Sequence, residues 1–75
     1  MEFLVMPKQS VAKIIELVGS SDKGWSEAAD VAVRTASKSI KNITGVEVVS
    51  TTAHVADGAI VSYKATVKIA FGVEE

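Results

Sequence analysis

The stretch from Gly45 to Phe71, GVEVVSTTAHVADGAIVSYKATVKIAF, decides the fold. At its middle, Asp57-Gly58 separates two apolar, β-branched runs, from Gly45 to Ala56 and from Ala59 to Phe71. Asp-Gly between such runs predicts a hairpin closed by a two-residue type I′ turn, because both central positions of that turn need positive φ. Ala56 then faces Ala59, and the register runs on through His54 with Val61, Thr52 with Tyr63, Val48 with Val67 and Val46 with Ile69. This register sorts the side chains onto two faces. One carries Val61, Tyr63, Ala65, Val67, Ile69 and Phe71 with Val46, Val48, Ser50, Thr52 and His54, and is expected to pack against a helix. The other carries Ile60, Ser62, Lys64, Thr66, Lys68 and Ala70 beside Gly45, Glu47, Val49, Thr51, Ala53 and Val55. There Glu47 lands opposite Lys68, a pairing that supports the register by roughly 0.2–1 kcal/mol. Being neither a core nor a simple solvated surface, this second face is the expected seat of function.

Upstream of the ribbon, Ser10 to Gly19 is β-branched and apolar and predicts a first strand, closed by the turn formers of Gly19 to Gly24. From Trp25 the period changes. Trp25, Ala29, Ala32, Ala36, Ile40 and Ile43 recur at spacings of four and three, one face of a helix, with Ala28, Val31 and Val33 widening the stripe. Gly24 or Ser26 can cap its start, and with Gly24 there Glu27 takes the third helical position. Asp30 and Arg34 form an i,i+4 pair, and Asn42 and Gly45 punctuate the exit. The reading is α+β, strand-helix-strand-strand. A three-stranded antiparallel sheet wraps on one alanine-faced helix, and the first strand pairs with the last to give the order one-three-two.

Composition bounds the function. A chain of 75 residues buries only about 60% of the surface its unfolded form exposes. It has no cysteine to reinforce it, yet it is 48% hydrophobic. So small a core cannot hide that much apolar surface, and self-association is the expected resolution. A net charge of −1 without a basic stripe argues against a nucleic-acid partner, and no apolar run is long enough to span a bilayer. Met1 to Met6 is apolar, but Glu2 stands where a secretory signal has basic residues. Residues 1–9 therefore read as an N-terminal extension to a single domain over residues 10–75, expected in the cytoplasm.

Chemistry is sparse. His54 is the only histidine, and in this register it has no cysteine or carboxylate beside it, so no catalytic residue and no enzyme are expected. Glu47 and Lys68 read as a structural pair, and Glu74-Glu75 as a solvated tail without metal-site spacing. The Gly-Ser-Ser-Asp-Lys-Gly loop lacks the Lys-Ser/Thr end of a P-loop, although any loop feeding a helix N-terminus can face a phosphate. Trp25, the only tryptophan, reads as a core or interface anchor ahead of a ligand-stacking ring.

Taken in order, Lys13 to Ser21, Trp25 to Ala29, Gly45 to Val49, Val55 to Ile60 and Tyr63 to Phe71 resemble the dodecins. These are small strand-helix-strand-strand proteins that assemble as hollow homododecamers and bind flavins. The resemblance implies a dodecamer of cubic symmetry with threefold and twofold contacts, storing or buffering a small molecule of the riboflavin, FMN or FAD type. In flavin-binding dodecins a tryptophan stacks on the isoalloxazine ring and a glutamine bonds its polar edge. Laid on this sequence, those positions hold Gly45 and Lys64. The implied cofactor-binding set is Gly45, Glu47, Lys64 and Thr66, all on the second face, with flavin binding weakened. The alternative is a structural or cation-binding shell of the same architecture that binds no flavin.

Overall fold

Strand β1 (Val11–Ser21), helix α1 (Trp25–Ala36), strand β2 (Ile43–Ala56) and strand β3 (Ala59–Val73) follow one another in a computed structural model that describes residues 11–73. The expected extension over residues 1–9, the start of the first strand at Ser10 and the Glu74-Glu75 tail lie outside the described residues. The strands form one antiparallel sheet in the order β1-β3-β2, the α+β arrangement expected. Both turn residues have positive φ, 53° at Asp57 and 76° at Gly58, as a type I′ turn requires. Ala56 faces Ala59.

The register then departs from an unbroken ladder. Val55 still faces Ile60, but His54 pairs with Ser62, leaving Val61 as an extra residue on β3. Thr52 pairs with Lys64 and Ala53 with Tyr63, in place of the expected His54–Val61 and Thr52–Tyr63. A second irregularity leaves Val49 extra on β2 and restores the original register at Val48–Val67, Glu47–Lys68, Val46–Ile69 and Gly45–Ala70. Each β-bulge inserts one unpaired residue and deepens the local twist. Between the two bulges the faces of β2 are exchanged. Ser50, Thr52 and His54, expected toward the helix, share the face of Thr66, Lys64 and Ser62, and Thr51 and Ala53 take the helix side.

Helix α1 starts where expected, with Gly24 as N-cap and Glu27 in its first turn, but it stops at Ala36. The Ser37 hydroxyl donates to the Arg34 carbonyl (2.8 Å), and Lys38 and Ser39 donate to carbonyls three residues back. These tight turns, followed by Asn42 at φ 66°, end the helix before Ile40 and Ile43. Those two isoleucines pack on the core from the exit loop and from the start of β2.

The core is thin. It comprises Ala28, Ala32 and Ala36 from α1 against Ala65, Val67 and Ile69 from β3, with Ile15 and Leu17 of β1 beside them. An alanine face lets the helix backbone come close to the sheet, and Gly19 takes that approach to its limit. A Cβ built on Gly19 would collide with the Ala28 carbonyl oxygen and sit 3.0 Å from the Ala32 Cβ. The helix is thereby seated over β1 and β3, and β2 is not covered. Val46 and Val48, expected beneath the helix, are each 49% exposed. One helix about 10–12 Å across cannot cover three strands spaced about 4.8 Å apart once it is pinned over two of them. The hairpin also runs past the end of β1, whose last pair is Ser21–Tyr63. The subunit is therefore elongated, 53 × 24 × 20 Å, and its radius of gyration of 15.5 Å exceeds the value of about 11 Å expected of a compact domain this size.

Gly19→Ala is expected to lower stability by about 2 kcal/mol, read by chemical denaturation, because the added methyl drives the helix off the sheet. The same change at Gly45, which has nothing within 4 Å of an added Cβ, is expected to shift stability by less than about 0.5 kcal/mol.

Candidate functional site

Side chains on β3 alternate between the core and the open side of the sheet. Ala65, Val67 and Ile69 are fully buried against the helix, so Lys64, Thr66, Lys68 and Ala70 point the other way. Paired residues share a face, and the two ladders therefore build rows across the sheet. These are Ile14–Ala70–Gly45, Glu16–Lys68–Glu47, Val18–Thr66–Ser50 and Ser20–Lys64–Thr52. His54 and Ser62 extend the face toward the hairpin tip. No helix lies over it, and Ile14 and Val18 are 61% and 62% exposed.

All four candidate residues, Gly45, Glu47, Lys64 and Thr66, lie on this outer face, but they do not converge. Gly45 pairs with Ala70, six residues along β3 from Lys64, which at about 3.3 Å per residue is a separation of about 20 Å. A single flavin ring cannot touch both within one subunit. Space around Gly45 is open. Glu47 faces Lys68 in register, but the expected ion pair does not form: among the described residues the one side-chain ion pair is Asp30–Arg34, 2.9 Å, both side chains 62% exposed. Such an exposed pair adds little to stability. His54, expected on the helix side, joins the outer face through the Val61 bulge.

Trp25 performs a task that its sequence position only half disclosed. Its indole Nε1 donates to the Thr52 carbonyl oxygen (2.7 Å), and its ring meets Tyr63 edge-on at 4.9 Å and 82°. Trp25 is 40% exposed, so the expected role as a core anchor is not the one it takes. It ties the start of α1 to β2, the strand the helix otherwise leaves bare. Only the spacing of 27 residues between Trp25 and Thr52 hid this contact from the sequence.

Two open grooves flank the helix. One of about 770 Å³ lies between α1 and the bare side of β2, with Ala29, Val33 and Val46 inside and Lys23, Glu27, Asp30 and Arg34 in its wall. The other, about 390 Å³, lies by the helix exit among Lys13, Ile40, Lys41, Asn42 and Phe71. Neither contains a candidate site residue. Among the described residues no group of three or more His, Cys, Asp or Glu side chains is placed to hold a metal ion, and no helix is long and apolar enough to cross a membrane.

The sequence model of the Dodecin family matches residues 11–74. The chain belongs to the dodecin family. Its fold superposes on the dodecin of Streptomyces coelicolor with a TM-score of 0.86 and 26% identity, over 92% of this chain and 99% of that one. The tt0972 protein of Thermus thermophilus gives 0.85 at 27% identity, over 89% and 98%. The dodecin of Streptomyces davaonensis gives 0.85 at 26%, over 91% and 100%. No curated protein sequence matches the chain. Sheet, helix and hairpin are thus those of a dodecin subunit along nearly its whole length.

Trp25→Phe keeps an aromatic ring beside Tyr63 and removes the bond to Thr52. It is expected to lower stability by about 1 kcal/mol in thermal or denaturant unfolding. Because the indole lies on the helix side, no ligand on the outer face should bind differently.

Proposed function

We propose that this dodecin-family chain assembles as a homododecamer that binds and stores a small molecule on the outer sheet face. Flavin (riboflavin, FMN or FAD) is the family ligand, held here more weakly than in dodecins with an aromatic platform. The observation that carries this reading is the outer face itself. It is left open by the helix, it is part apolar through Ile14 and Val18, and Gly45, Glu47, Lys64 and Thr66 are spread along it.

Two features support assembly. Val46, Val48, Val55, Ile60 and Val61 are about half exposed along β2 and the hairpin tip, more apolar surface than a subunit this small keeps in water by itself. The separation of about 20 Å between Gly45 and Lys64 means that a ligand using both positions takes them from different subunits. Weakening follows from the residues. Glycine at position 45 offers no ring to stack on, and a lysine at 64 donates hydrogen bonds but accepts none. The chain performs no catalysis in this reading.

Light scattering of the purified protein is expected to give about twelve times the 7.9 kDa chain mass; a stable monomer would overturn the assembly. Riboflavin fluorescence should be quenched on titration only at high protein concentration, and no quenching at all would sink flavin as ligand. Gly45→Trp combined with Lys64→Gln should tighten flavin binding tenfold or more, since a stacked ring is worth about 1–3 kcal/mol and about 1.4 kcal/mol is tenfold.

A further inference from the structure

Among the described residues, two that are not glycine hold positive φ, Asn42 at 66° and Asp57 at 53°. Both carry a side-chain carbonyl carbon that the next backbone nitrogen can attack to close a five-membered ring. Their surroundings differ. Asn42 is followed by β-branched Ile43, and its carbonyl accepts a hydrogen bond from the Gly72 amide (2.9 Å), so that peptide plane is crowded and held. Asp57 is followed by Gly58. Both are exposed at the hairpin tip, and a Cβ built on Gly58 would have nothing within 4 Å. Among the described residues, no turn or loop hydrogen bond holds the Asp57 carbonyl or the Gly58 amide.

The peptide between Asp57 and Gly58 is therefore free to turn over. A type I′ turn has ψ of about +30° at its first central residue and a type II′ turn about −120°, at a shared φ of about +60°. Asp57 already holds that φ. Gly58, at φ 76°, can move to the negative φ of a type II′ turn because it has no side chain to obstruct it. Both turns close two-residue hairpins with the twist that the strands need, so the Ala56–Ala59 pair is kept in either. What changes is the place of the Gly58 nitrogen. In the type II′ arrangement it is nearly eclipsed with the Asp57 Cβ, as a five-membered ring through Cγ requires.

We propose that Asp57 is a site of spontaneous backbone isomerisation, restrained by the type I′ turn and released when the Asp57–Gly58 peptide turns over. The Gly58 nitrogen bonds to the Asp57 Cγ, and its proton leaves with the carboxyl hydroxyl as water, closing a cyclic imide. Water then adds to one of the two imide carbonyls. Opening at Cγ restores aspartate. Opening at the Asp57 main-chain carbonyl leaves isoaspartate, with the main chain running through Cβ and Cγ. One water leaves and one returns, and nothing is oxidised or reduced. Isoaspartate lengthens the main chain inside a two-residue turn, so the tip pairs Ala56–Ala59 and Val55–Ile60 lose the geometry that the turn imposes. Asp22 and Asp30 lack the following glycine, and Asp30 lies within α1.

Peptide mapping of the purified native protein after weeks at neutral pH, with fragmentation that separates aspartate from isoaspartate, tests the site. Isoaspartate is expected to accumulate at Asp57 and to stay at background at Asp22 and Asp30. With the flipped turn populated at about 10%, the rate in the native protein should fall within about tenfold of that in the urea-unfolded chain. Asp57→Asn should pass through the same imide with loss of ammonia, and its deamidation should outpace that of Asn42 in the same map. Asp57→Gly keeps a dipeptide suited to a type I′ turn and removes the carboxyl group. Aged wild-type protein is expected to lose thermal stability that aged Asp57→Gly protein retains. Isoaspartate formed in the unfolded chain alone, or to the same extent at Asp22 and Asp30 as at Asp57, would overturn the proposal.

Discussion

The distance between one alanine-faced helix and the sheet under it governs the rest of the subunit. Ala28 and Ala32 come down on Gly19 so closely that a single methyl there has no room. A helix with leucines on that face would stand farther off and roof more of the sheet. This one sits low over β1 and β3, and its core is correspondingly small: among the described residues, four alanines, one valine and one isoleucine are buried. Burial on that scale contributes little hydrophobic stabilisation for a chain that must order the whole ribbon. Apolar side chains such as Val46, Val48 and Val55 are correspondingly left about half exposed. Close packing at Gly19, the bare flank of β2 and the projecting hairpin are one arrangement seen from three sides.

The ribbon supplies what the core does not. Its length follows from a turn whose two residues both accept positive φ, and its faces follow from two bulges. The bulges act in opposite senses, one adding a residue to β3 and the other to β2, so the register is shifted over a short stretch and then restored. The pairing that the turn dictates survives from Val55 to Ala56 and again from Gly45 to Val48, and a further irregularity leaves Thr44 unpaired before Ile43 meets Phe71. Between them the sheet shows hydroxyls to the outside next to Lys64. In the same stretch Trp25 holds the β2 backbone through the Thr52 carbonyl, fixing the segment whose side chain faces outward. Structural anchoring and surface chemistry are thereby placed on opposite sides of one strand.

Much of this was legible in the residues. Strand order, the type I′ turn, a cap at Gly24 or Ser26 and the alanine-lined helix follow from patterns in the residues, and the dodecin resemblance follows from their order. Gly45, Glu47, Lys64 and Thr66 were also placed on the correct face, because Gly45 and Glu47 lie in the stretch where the simple register survives and the β3 residues alternate without interruption past Ser62. What escaped was Thr52 and His54, whose facing is reversed, and the Glu47–Lys68 contact, which the register permits but the side chains do not make. Valines 49 and 61 look like any other strand residues, and nothing local marks them as bulged.

By itself the sequence determined which segments are helix and strand, where the chain turns, and that a domain this small carries more apolar residues than its core holds. Each of these depends on residues within a few positions of one another, or on composition, and both are fully written in the chain. Tertiary structure alone decided which two strands the helix covers, where the ladder slips, and that Trp25 reaches Thr52. Those outcomes depend on how twisted strands and a close-packed helix fit in space, through contacts between residues far apart along the chain, and no local pattern encodes them.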